Sequence, residues 1–91
     1  MSNILQFHSP EYKQCEELIK QYQEQCNLLL TASEFKFRKI NKRTERIFFE
    51  AIGWAHEINN KKQQEIIHKR LLNINLNTRA ELESRGFYAA K

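Results

Sequence analysis

Two glycines and a single proline punctuate this 91-residue chain. Sheets and sandwiches turn often and draw those residues into the turns, so so sparing a use of them points to long helices. The lone proline stands where a helix begins. In "HSPEYKQCEEL", Ser9 is a favourable N-cap, Pro10 suits the first helical position, and Glu11 faces the positive end of the helix dipole. Apolar residues then recur at Tyr12, Cys15, Ile19, Tyr22, Cys26 and Leu29, in alternating steps of three and four, with Leu18 and Leu30 widening the stripe. That is the spacing of a seam laid against another helix.

The end of this first helix can be read in two ways. Thr31 and Glu34 form a capping box, with Leu30 and Phe35 set as a hydrophobic staple, which starts a second helix at about residue 31. The apolar phase also runs on through Ser33 and Phe37. A single rod from residue 10 to 58, roughly 70 Å long at 1.5 Å per residue, is therefore the rival reading. Ordinary helix lengths favour the hairpin.

Residues 36–58, "KFRKINKRTERIFFEAIGWAHEI", are amphipathic at about 100° per residue. Phe37, Ile40, Thr44, Ile47, Phe48, Ala51, Ile52, Trp54, Ala55 and Ile58 share one face, and Gly53 among the alanines suggests close approach of another helix. Asn60 with Gln63 caps a third helix burying Ile66, Ile67, Leu71 and Ile74. "NINLN" alternates like a connector. Thr78 with Glu81 opens a last helix, which Gly86 closes with Phe87 packed on Leu82. The expected fold is all-α: a helix hairpin (about 10–29 and 31–58), a third helix (about 60–73) and a short C-terminal helix (79–85). Residues 1–91 are expected to form a single helical domain, with 1–8 an extended or loose N-terminal segment.

Chemistry leaves little trace. "HEINN" lacks the second histidine of the zincin pattern, because Asn60 occupies that position, and His8 and His68 lie far off in sequence. There is no aspartate, no glycine-rich phosphate loop and no nucleophile elbow. Cys15 and Cys26 are eleven apart, about 16 Å along a helix, too far for a disulfide, and read as small apolar core residues in a reducing compartment. No catalytic residue, metal ligand or cofactor is expected. No apolar run approaches the ~20 residues that span a bilayer, and the start lacks the pattern of a signal peptide. The expected location is the cytoplasm, with no membrane partner.

Charge is what remains. Residues 1–34 hold two Lys/Arg against five Glu, and residues 35–91 hold thirteen against six, so the first part carries −3 and the rest +7. Lys36, Arg38, Lys39, Lys42, Arg43 and Arg46 line the polar side of the second helix, as phosphate-binding stripes do. A second basic group comprises Lys61, Lys62, His68, Lys69 and Arg70. Phe35 and Phe49 lie off the apolar stripe, as aromatics at contact surfaces do. Two functions are expected. The first is a small binding protein (adaptor, inhibitor or regulator, of the kind phages and mobile elements carry) that engages another protein through Phe35 and Phe49; a homodimer is also expected, in which a second copy completes the core against the apolar stripes. The alternative is a DNA- or RNA-binding regulator that holds phosphates on the six cations.

Overall fold

In the computed structural model, which describes residues 9–86, the chain forms three helices: α1 (Pro10–Thr31), α2 (Glu34–His56) and α3 (Lys61–Ser84). They run up, down and up in a narrow bundle of 52 × 20 × 19 Å. Residues 1–8 and 87–91 lie outside the described part, and with them the expected lead-in and the Phe87–Leu82 contact.

α1 starts as its sequence dictates. The Ser9 hydroxyl accepts from the Tyr12 amide at 3.2 Å, and Tyr12, Cys15, Leu18, Ile19, Tyr22, Cys26 and Leu29 are all buried. The hairpin holds, since Ala32 and Ser33 are extended and break the rod. The cap, however, is two residues later than the capping box suggests. Ser33 accepts from the Lys36 amide at 3.4 Å. Thr31 remains in α1 and turns its hydroxyl back onto the Asn27 and Leu28 carbonyls. With the cap at Ser33, Phe35 falls in the first turn of α2 facing water, and the staple to Leu30 does not form.

α2 meets α1 through small residues. Ala51 and Ala55 are fully buried, and the Cys15 thiol donates to the Ala51 carbonyl at 3.8 Å. Ile47, Phe48 and Ile52 pack half-buried on either side. Two expectations about this face are corrected. Trp54 lies at the rim of the stripe and is exposed. Gly53 faces outward, and a Cβ placed there would meet nothing within 4 Å, so the close approach runs through the alanines and leaves the glycine free.

α3 corrects a third. Asn60 caps it as expected, its side chain accepting from the Gln63 backbone N–H at 3.0 Å, and the Gln64 side-chain Nε2 donates to the Ile58 carbonyl at 2.8 Å, fastening the link between α2 and α3. The helix then continues unbroken through "NINLN" to Ser84, so the third and fourth expected helices are one. Two of the residues that look like breakers, Asn75 and Thr78, face α1 instead. The Asn75 side chain donates to the Tyr22 hydroxyl at 3.0 Å, and Thr78 is buried beside Cys26. Along α3, Ile67, Leu71, Thr78 and Leu82 bury, Ile74 packs partly buried, and Ile66, expected inside, is on the outer face. Gly86 ends it with a positive φ of 91°, a conformation that glycine adopts without strain.

Candidate functional site

The outer side of α2 carries every site residue the sequence singles out. Lys36, Arg38, Lys39, Lys42, Arg43 and Arg46 are all exposed on this one helix. None of them lies within ion-pair distance of a described carboxylate. The acidic α1 does not neutralise them, because α1 turns its apolar stripe to α2. Its Glu16 reaches Arg70 of α3 instead, at 3.7 Å, a pair in solvent worth at most about 1 kcal/mol. Phe35 is 91% exposed and Phe49 67%. The steps from Phe35 through Arg38, Lys42 and Arg46 to Phe49 are three, four, four and three, so the rings bracket a row of cations on one side of the helix.

Next to this row lies a furrow that the sequence does not announce. α1 packs along both other helices, while α2 and α3 touch each other less. At the end away from their link the two walls part over a cleft of about 560 Å³. Tyr22, Cys26 and Leu29 of α1 form its floor. Asn41, Thr44, Glu45, Phe48 and Phe49 make the α2 wall, and Asn75, Thr78, Arg79 and Leu82 the α3 wall. Phe48 stacks tilted on Tyr22 with ring centroids 5.3 Å apart, and Phe49 meets Phe48 edge-on at 5.5 Å. Reading 74–78 as a connector hides the second wall. The signal that finds it is the run Leu71, Asn75, Thr78 and Leu82, whose steps of four, three and four continue the helix through the asparagines.

No family model, curated protein or solved structure matches this chain.

What the arrangement can do chemically follows from its side chains. Burial pushes the Cys15 thiol up to about 11 from its ordinary 9.0, and burial likewise raises Cys26, against the hydrogen bonds from Thr78 and Tyr22. Thiols held protonated and out of solvent are poor nucleophiles. Burial pushes the Tyr22 phenol up to about 12, partly offset by the Asn75 amide. Folding thus holds all three groups neutral at a pH where the unfolded chain ionises. Stability is therefore intact below pH 9.0 and declines as the pH rises from there toward about 12. Urea midpoints measured across that range check this, and a midpoint that climbs would contradict it.

His56 and His68 come together across the α2–α3 link, edge to face with centroids 5.7 Å apart, a pairing their distance in sequence conceals. Among the described residues no three metal-ligating side chains cluster, so these two imidazoles stand without a third donor. Lys61, Lys62, Lys69 and Arg70 are exposed on α3. No described helix is long and apolar enough to cross a membrane.

Proposed function

We propose that this protein works by binding another protein through its α2 face, as an adaptor, inhibitor or regulator with no chemistry of its own. The observation that carries this reading is the pair of solvent-facing rings, Phe35 and Phe49, at the two ends of the α2 row. Fourteen residues separate them, about 21 Å at 1.5 Å per residue, which is the scale of one face of a small protein contact. Removing a phenyl ring from water is worth about 1.5–3 kcal/mol, and here two rings are available without refolding anything. Unpaired cations between them supply orientation and rate of encounter more than affinity.

The alternative, phosphate binding, has its own support in the six exposed cations, none of them in a described ion pair. Glu45 and Glu50 interleave the stripe and weaken its field, and the rings gain nothing from a duplex backbone. Titrating labelled single- and double-stranded DNA and RNA at about 50 and about 200 mM salt separates the readings. A nucleic-acid site using all six cations would lose about 10³-fold in affinity across that range. We expect no saturable complex at the higher salt. Tight binding that disappears when Lys39, Lys42, Arg43 and Arg46 become Gln, yet survives Phe35→Ala and Phe49→Ala, would transfer the function to nucleic acid.

A further inference from the structure

We infer that a second copy of this chain docks antiparallel on the outer flank of α2, through a row of charges that is its own complement. This goes beyond the reading above and does not depend on what Phe35 and Phe49 bind. Lys36, Arg43, Glu50 and Glu57 follow one another at steps of seven residues. Such a step makes nearly two full turns, so the four share one side of the helix with a drift of about 20° per step. All four are exposed, and none is in an ion pair among the described residues. Cations hold the first half of the row and carboxylates the second.

Laid antiparallel on itself, the row sets every charge against its opposite. A two-fold axis between Arg46 and Ile47 brings Lys36 to Glu57 of the second copy and Arg43 to Glu50, and the symmetry repeats both pairs. The same register places Lys39 opposite Trp54. Trp54 is 38% exposed, and Glu50, Gly53 and Glu57 complete a shallow notch around it. Gly53 has no side chain to fill that notch, and nothing lies within 4 Å of where its Cβ would stand. An ammonium resting there is attracted by the indole face and by the two carboxylates beside it. From Lys36 to Glu57 the row runs about 32 Å at 1.5 Å per residue, almost the length of α2. Any occupant must therefore be acidic along one half and basic along the other, in reverse order, and this chain supplies that pattern itself. A nucleic-acid backbone or a uniformly acidic helix would meet Glu50 and Glu57 as like charges. The cleft between α2 and α3 is lined by Phe49 and by none of the row, so the dimer leaves it open.

Sedimentation equilibrium of the full chain at about 50 and about 500 mM salt tests this. We expect a dimer at the lower salt, with a dissociation constant at least about tenfold higher at the higher salt, where the charges are screened. Arg43→Glu or Glu50→Arg alone sets like charges together twice per dimer, and each should weaken it at least about tenfold. Both substitutions in one chain should restore the dimer. An equimolar mixture of the two single variants should do the same, since each then offers what the other lacks. Both positions are exposed, so circular dichroism should not change. Emission from Trp54, the one tryptophan in the chain, should shift over the same concentrations as the mass. A monomer at every concentration up to about 1 mM at the lower salt overturns the proposal. So does a dimer indifferent to both single reversals, one that the double reversal fails to restore, or one that leaves Trp54 emission unchanged, since each puts the contact elsewhere.

Discussion

Replacing Leu71 by alanine is expected to lower the free energy of unfolding by about 2–5 kcal/mol. Leu71 is fully buried and, with Ile67, belongs to the cluster that α1, α2 and α3 build together. Truncation there removes transfer free energy and leaves a cavity that helices on three sides cannot easily close. Total stability for a domain of this size is of order 5–15 kcal/mol, so the loss is a large share of it. At about 4–8 °C per kcal/mol, the thermal midpoint should fall by roughly 10 °C or more. Calorimetry or a circular dichroism melt measures this directly. The control is one residue away. Leu72 is half exposed on the outer face, and Leu72→Ala should cost less than about 1 kcal/mol, as surface changes do. A reversed order of the two effects would mean that α3 presents a different face to the bundle, and the furrow would go with it.

The second large effect concerns binding and leaves folding almost untouched. Phe35→Ala combined with Phe49→Ala should weaken the complex with the natural partner by about 10²–10⁴-fold. That is two rings at about 1.5–3 kcal/mol each, with about 1.4 kcal/mol per factor of ten. Phe35 projects almost wholly into solvent, and its removal should not move the melt. Phe49 also meets Phe48 edge-on at 5.5 Å, a contact worth about 0.5–1.5 kcal/mol, so a drop of several degrees is expected from that position alone. Crosslinking in cells followed by mass spectrometry identifies the partner, and titration with purified partner gives the ratio of affinities. An unchanged affinity, with the protein folded, removes the case for this surface.

The elements whose signals are local were the legible ones. Ser9, Pro10 and Glu11 start α1 and Asn60 with Gln63 starts α3, because a cap needs only the next turn of chain to form. The three-and-four seam of α1 was readable for a similar reason, since its residues are nearly all buried and their spacing is uninterrupted. The hairpin was readable with an error of two residues, as Thr31 and Ser33 both offer a cap. Ser33 carries the cap in the fold, which leaves Phe35 in water. Local signals break α3 at 74–78, where the fold keeps it whole, because asparagine and threonine favour caps and turns when judged alone. Here Asn75 and Thr78 find partners on α1 that no local rule contains.

Of the candidate site, the cationic row could be read in advance, because exposure on one side of an amphipathic helix follows from its period. The furrow could not. It exists because Ala51 and Ala55 draw α2 close to α1, α1 holds α3 against its own flank, and the two outer helices diverge beyond their link. Sequence alone settled the caps at Ser9 and Asn60, the α1 stripe and the charged side of α2, all of which depend on residues within about a turn of each other. The tertiary structure alone decided which of several comparable apolar positions would be covered, Ile67 and not Ile66, Ala55 and not Trp54. Burial depends on where the neighbouring helix lies, and that position is a joint solution of all three packing faces.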